Sequence, residues 1–352
     1  MKTMKKNFKR LMVCLFLTVL MALISGCQDK PPVKLGFSGC LTGKLSDLGT
    51  GGRDGAILAV EQINQAGGIS GHPLQLIIRD DKHDPATAIQ VDKELIQEGV
   101  AAIIGHMTST NRLAGIDDCF FSVCPPSKAE SVHLARHMSG KMKLKTLACA
   151  YDLSNRAFTE GWYQHLKAKF EDMGGQLIFF TTFTSGQPFS YLTLAQDLLA
   201  SEADGLVLAA SALDTAMICQ QLAKIGSDIP VVSSGWANTP AFIHHGGTAV
   251  EGVLFSQTFN SKSNEASFLS FKKQFMERFG REPNFAAACG YDAVQLFFNG
   301  LSRADHAGSL RDALKNSRID AVQGELEIDA YGDATHRRFL VTVRNGQFEV
   351  ME

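Results

Sequence analysis

The sequence predicts an α/β protein of two lobes, each built on a mostly parallel sheet covered by helices on both faces. Three observations point there. Short, wholly apolar runs at residues 100–104 and 206–210 read as strands buried on both sides. Between such runs lie helical patterns with apolar residues at three- or four-residue spacing, as in Phe158, Trp162, Leu166 and Phe170. The alternation runs through the chain twice, and 352 residues are enough for two domains.

The amino terminus stands apart. Lys2, Lys5, Lys6, Lys9 and Arg10 form a basic region without an acid, followed by an apolar stretch at 11–24 that is short for a bilayer span and reads as a signal-peptide core. Ile24-Ser25-Gly26-Cys27 resembles the bacterial lipobox, which implies cleavage before Cys27 and a diacylglycerol thioether on its sulfur. An ordinary signal peptide followed by an incidental cysteine is the alternative. Without residues 1–26 the chain keeps 326 residues, with 29 basic and 36 acidic side chains and a net charge of −7. That balance, with no long basic run, excludes an electrostatic nucleic-acid binder. Eight cysteines are too dilute for a disulfide scaffold.

After a polar linker at 27–32, strands are predicted at 33–38, 74–78 and 100–104, with helices at 51–67 and 84–98. Gly67-Gly68 stops the first helix, and Asp84-Pro85 opens the second with proline at its first position. The second series has strands at 145–150, 177–180, 206–210, 229–232 and 253–256. Its helices span 158–173, 189–200 and 211–225, the last opened by the capping box Ser211-Ala-Leu-Asp214. Two long helices follow at 264–279 and 285–301. Antiparallel strands are expected over 324–352, where Asn345-Gly346 is a hairpin turn.

In open parallel sheets, ligands bind beyond the carboxyl ends of the strands. Here those ends carry hydroxyl residues: Thr108, Ser109 and Thr110 after one strand, Ser211 after another, and Ser233-Ser234-Gly235-Trp236 after a third. Hydroxyls and helix-start N–H groups suit a carboxylate. Ser211 serves equally well as a plain helix cap, and Trp236 either stacks on a ligand or packs in the core. Catalytic signatures are missing. No Gly-x-Ser-x-Gly elbow or Gly-x-Gly-x-x-Gly fingerprint exists, and Gly39-x3-Gly43-Lys44-Leu45 is one residue short of a phosphate-binding loop. Cys119-x4-Cys124-x8-His133-x3-His137 offers zinc-type ligands, but its middle spacing is shorter than a zinc finger's. No metal or cofactor is expected, and a Cys119–Cys124 disulfide is chemically permitted outside the cytoplasm.

Several segments together resemble a known family. They are Gly36-Phe-Ser-Gly…Gly49…Gly55-Ala56, Ile63-Asn64-Gln65-Ala66-Gly67-Gly68-Ile69-Ser70-Gly71, Asp80-Asp81…Asp84-Pro85, Ile104-Gly105-His106…Ser109, Tyr151-Asp152…Asn155, Gly290-Tyr291-Asp292-Ala293 and Gly324…Ile328-Asp329…Gly332-Asp333. In this order they resemble the leucine/isoleucine/valine-binding proteins, type I periplasmic binding proteins of ABC importers. The resemblance implies two Rossmann-like lobes joined by three crossovers. It places lobe 1 at 33–122 and 259–323, and lobe 2 at 123–258 and 324–352. It implies capture of a small ligand, an amino acid or a related carboxylate or amide, and its delivery to a membrane permease. The resulting reading is an exported, lipid-anchored, monomeric binding protein and not an enzyme. A ligand-sensing receptor of the same fold is the alternative. Ser109 matches a family ligand contact, and Asn155 lies in the matching lobe-2 loop. Relatives carry an additional helix, strand and head-group loop where Gly115 here leads directly to Ile116, so lobe 1 is expected to lack one helix–strand unit. The relatives' ammonium-pairing glutamate falls near Gly235-Trp236, where there is no acid, and their aromatic residue after the first strand falls at Leu48.

Overall fold

The computed structural model of the protein describes residues 30–43, 46–107, 118–124, 126–307 and 309–351. The chain opens with β1 (Val33–Gly39), α1 (Ser46–Gln65), β2 (Leu74–Asp80), α2 (Pro85–Gln97) and β3 (Ile103–Ile104). It crosses into a second lobe made of α3 (Ser127–Gly140), β4 (Thr146–Asp152), α4 (Arg156–Asp172), β5 (Gln176–Phe183), α5 (Tyr191–Ala200), β6 (Gly205–Ala209), α6 (Ala212–Ile225), β7 (Val231–Ser233), α7 (Pro240–Gly246) and β8 (Leu254–Gln257). It returns to the first lobe with α8 (Ala266–Phe279), α9 (Phe285–Ala307), α10 (Leu310–Leu314), β9 (Arg318–Ala321), β10 (Gly324–Ile328) and β11 (Ala334–Thr335). It ends in the second with β12 (Phe339–Arg344) and β13 (Gln347–Met351).

The second lobe has a seven-stranded sheet, ordered β13-β12-β8-β7-β6-β4-β5. Strands β8, β7, β6, β4 and β5 run parallel, and the terminal hairpin adds antiparallel at β8. All five residues of β6 are buried, because helices cover both faces. Trp162, Leu166 and Phe170 of α4 are fully buried in one of the two resulting cores. The hairpin turns at Asn345 (φ 52°) and Gly346 (φ 67°), both left-handed as a tight two-residue turn requires. Glu251 accepts both of their N–H groups, at 2.9 and 2.7 Å.

Among the described residues the first lobe's parallel sheet holds three strands, ordered β2-β1-β3. Residues 118–123 form no strand; Ser122 makes an isolated parallel bridge to Asp333. A boundary differs from expectation at the carboxyl end. Strands β10 and β11, expected in lobe 2, form an antiparallel sheet in the order β11-β10-β9 and bury Leu326, Ile328 and Ala334 against Leu296 of α9 and Leu314. Their apolar face finds its partner on α9, so only β12 and β13 join the second lobe.

Helices α1 and α9 form the first lobe's tightest pair. A β-carbon on Gly55 would lie 1.9 Å from the Ala287 carbonyl oxygen, and one on Gly290 would lie 2.0 Å from that of Gly52. The glycines of the Gly55-Ala56 and Gly290-Tyr291-Asp292 motifs therefore let two backbones touch. Asp292 follows on α9, where its buried Oδ1 accepts the Val322 N–H at 2.8 Å and ties the β9–β10 turn to the helix. Burial pushes its carboxyl pKa up to about 7, against the smaller opposing effect of that hydrogen bond. The folded protein thus holds a proton between pH 4 and 7 that the unfolded chain has released, and this contribution to stability falls as pH rises through that window. Asp292→Asn keeps an acceptor and carries no charge. Denaturant titrations across pH should show the variant gaining on wild type between pH 4 and 7, by up to about 4 kcal/mol, and level above. A pH-independent difference would contradict this.

Candidate functional site

The carboxyl ends of the two parallel sheets face a cavity of about 290 Å³ between the lobes. From the first lobe it is lined by Gly43, Ser46, Asp47 and Leu48, the entry to α1. From the second come Ala212 and Leu213 at the start of α6, Trp236, and Ala241 and His245 of α7. Two long helices therefore open onto one space, and the N–H groups of a helix's first turn favour an anion. Asp47 is the acid among the lining residues; its Oδ2 also accepts the Thr239 hydroxyl across the lobes at 2.7 Å.

Trp236 forms the apolar wall. It is 7% exposed and packs with Cys40, Leu48 and Ala286, with Met107 and Phe285 alongside. Phe158 meets its ring edge-on, with centroids 6.2 Å apart at 83°. The short 3-10 turn at Gly235–Ala237 that presents this ring is held from below. The Gly235 N–H donates to Glu130 Oε1 at 2.7 Å, and the Gly235 carbonyl accepts from Gln257 Nε2 at 2.7 Å. Glu130 Oε1 also accepts Trp162 Nε1–H at 2.7 Å. Burial raises the Glu130 carboxyl pKa, while the nearby Arg338 charge and the two donors pull the other way.

The hydroxyl-rich candidates separate. Thr108, Ser109 and Thr110 lie outside the described residues, as does Cys27. Ser211 acts as a helix cap: its Oγ accepts the Asp214 N–H at 3.2 Å and donates to Asp214 Oδ2 at 2.6 Å, while the next two residues line the cavity. Asn155 is buried at the start of α4, its carbonyl accepting from Thr159 Oγ1 at 3.3 Å, and is not among the lining residues. Only Trp236 of the described candidates is a wall residue.

The Asp80-Asp81…Asp84 motif holds loops. Asp80 accepts the Leu41 N–H at 2.9 Å and the Thr42 hydroxyl at 2.6 Å, fixing the turn after β1. Asp84 caps α2 by accepting the Thr87 N–H at 2.7 Å. Asp81 pairs with His106, whose Nδ1 lies 2.8 Å from Asp81 Oδ2 and whose Nε2 lies 3.1 Å from Asp92 Oδ2. Burial opposes charge on that imidazole, but the two carboxylates outweigh it and raise its pKa. The zinc-type quartet is not assembled: His133 Nδ1 meets Ser256 Oγ at 2.8 Å, and Cys124 meets Cys289. Among the described residues no group of three or more His, Cys, Asp or Glu is placed to hold a metal.

Asp47, Leu213 and His245 were not legible as site residues. The predicted first helix began at Gly51, and Gly49 just ahead of it argues against helix on propensity. Packing overrides that, since a β-carbon on Gly49 would lie 1.8 Å from the Cys40 carbonyl oxygen. The helix therefore starts at Ser46 and brings Asp47 and Leu48 to the cleft.

A profile of the periplasmic binding protein family matches residues 32–118 and 116–347. The leucine-, isoleucine-, valine-, threonine- and alanine-binding protein of Pseudomonas aeruginosa is 23% identical over 367 residues, covering 96% of both chains. Among solved structures, the leucine-binding protein LivK of Thermotoga maritima superposes with a TM-score of 0.82 at 22% identity, covering 91% of this chain and 98% of its own. The branched-chain amino acid transporter substrate-binding protein LivJ of Streptococcus pneumoniae, in complex with isoleucine, gives 0.81 at 23% identity, covering 91% and 99%.

Proposed function

The chain belongs to the periplasmic binding protein family, and from that premise we propose that it is the extracytoplasmic substrate-binding component of an ABC importer, capturing an amino acid or a related small carboxylate or amide between its lobes. The cavity between the lobes carries this reading. Its volume suits a small molecule. The starts of α1 and α6 offer N–H donors for a carboxylate, and Leu48, Leu213 and Trp236 offer an apolar wall for a side chain. Asp47 supplies the charge for an ammonium group, a role the family resemblance gives to a glutamate near Trp236. Thr108, Ser109 and Thr110 follow β3 and would close the same cleft from lobe 1, with Asn155 and Ser211 behind the second-lobe loops.

A thermal-shift screen of the processed chain against amino acids, amides and small carboxylates tests this. A ligand at 100 times its dissociation constant should add about 2.7 kcal/mol of apparent stability. Asp47→Asn should weaken an amino acid roughly ten- to a hundredfold and leave a carboxylate without an ammonium group much less affected. A screen with no stabilising member, or Asp47→Asn binding an amino acid as tightly as wild type, would overturn the assignment.

The tether belongs to the same reading. Cys27 after Ile24-Ser25-Gly26 carries the lipid that keeps the lobes at the membrane beside the permease. Cys27→Ala should release the protein into the soluble fraction or leave it unprocessed. A processed variant that stays in the membrane fraction would contradict the anchor.

A further inference from the structure

We propose that Cys124 and Cys289 form a disulfide in the exported protein, stapling the first crossover between the lobes to helix α9. The two sulfurs lie 2.7 Å apart although the residues are separated by 165 positions. A disulfide bond is about 2.05 Å long, so a small side-chain adjustment closes the gap. Cys119, the partner that sequence spacing offers, is exposed, and the Cys124 sulfur is directed to Cys289 instead. Family membership implies an extracytoplasmic location, where disulfides persist.

The crossover needs such a fastening. Between β3 and α3, residues 118–124 contribute no strand. They are held by the Ser122 N–H donating to the Gly332 carbonyl at 2.8 Å and by Phe121 and Val123 packing on the β9–β11 core. Cys124 comes next, its N–H bonded to Ser122 Oγ at 3.2 Å, three residues before α3 begins. A covalent link to α9 would fix this crossover to the first lobe.

The chemistry is a thiol–disulfide exchange with a disulfide oxidant. The Cys124 thiolate attacks one sulfur of the oxidant and expels the other as a thiol. The Cys289 thiolate then displaces the remaining oxidant sulfur from Cys124. Two cysteine S–H bonds are replaced by one S–S bond, and two electrons and two protons leave on the oxidant as two thiols. The contact between the sulfurs lowers the Cys124 thiol pKa and raises that of Cys289, and Cys124 is the exposed residue, so it attacks first.

The test uses the processed wild-type chain, equilibrated with oxidised glutathione, alkylated, digested without reductant and mapped by mass spectrometry. The expected result is a peptide pair joined through Cys124 and Cys289 and lost on reduction. Reductant should also lower the thermal midpoint by roughly 5–10 °C, an effect that Cys289→Ser protein does not show. Recovery of both cysteines alkylated, or of Cys124 joined to Cys119, overturns the proposal. A joined pair with an unmoved midpoint overturns the staple. The peptide map needs neither a folded variant nor a ligand, so its failure is distinct from failure of the binding assignment.

Discussion

Gly290→Ala should destabilise the protein by about 3–5 kcal/mol, one of the largest effects of any single methyl group added to this chain. The new carbon would sit 2.0 Å from the Gly52 carbonyl oxygen, and both sides of that clash are backbone. Neither can move without separating α1 from α9. The two helices carry the first lobe's core jointly: Ala56, Ala59 and Val60 of α1 meet Val294 and Phe297 of α9. Separating them opens voids around these residues, and the cavity cost adds to the strain. Better helix propensity returns at most about 1 kcal/mol. Gly161 is the control. It lies inside α4 with nothing within 4 Å of its would-be β-carbon, so Gly161→Ala should be neutral or mildly stabilising. Urea unfolding of the two variants beside wild type reads the difference, and equal midpoints for Gly290→Ala and wild type would contradict the contact.

Glu130→Ala should cost a comparable 3–5 kcal/mol and should also weaken ligand binding. The carboxylate accepts from two buried donors, Trp162 Nε1–H and the Gly235 N–H. Removing it leaves both unsatisfied, at about 1–3 kcal/mol each. The second donor belongs to the turn that presents Trp236, so the wall of the cavity loses its support along with the core. Glu130→Gln retains an acceptor oxygen and should keep most of the stability and the affinity. If alanine and glutamine behave alike, or if alanine leaves both properties intact, the residue does not support the Trp236 turn.

The parts of this architecture visible in the sequence were those set by local pattern. The β6 run, the α4 stripe of Trp162, Leu166 and Phe170, the capping box at Ser211 and the Asn345-Gly346 turn all follow from residues near one another. What escaped depends on contacts distant in sequence. The α1 start was hidden because its glycines serve backbone contact with Cys40 and α9, which only the fold brings near. Strands β10 and β11 carry a generic antiparallel pattern, and only their packing on Leu296 assigns them to a lobe. The same holds at the site. Trp236, at a strand end, read either as a ligand contact or as a core residue, and it lines the cavity while packing in a buried cluster. Asp47, on the helix entry, and Cys289, 165 residues from its partner, gave no local signal. Ser211 read equally as a cap or a contact, and its bonds to Asp214 favour the cap.

The central claim is that a small molecule sits between the lobes against Trp236. The chain has two tryptophans, and Trp162, fully buried on Glu130, is not among the residues lining the cavity. Intrinsic fluorescence can therefore isolate the ligand's contact with Trp236. Titrating the processed chain with leucine, and then with the most stabilising compound of the thermal-shift screen, should give a saturable change in tryptophan emission. Trp236→Phe should lose that change and bind more weakly by calorimetry. Saturable calorimetric binding with unchanged wild-type emission, and equal affinity in Trp236→Phe, would place the ligand elsewhere and contradict the account.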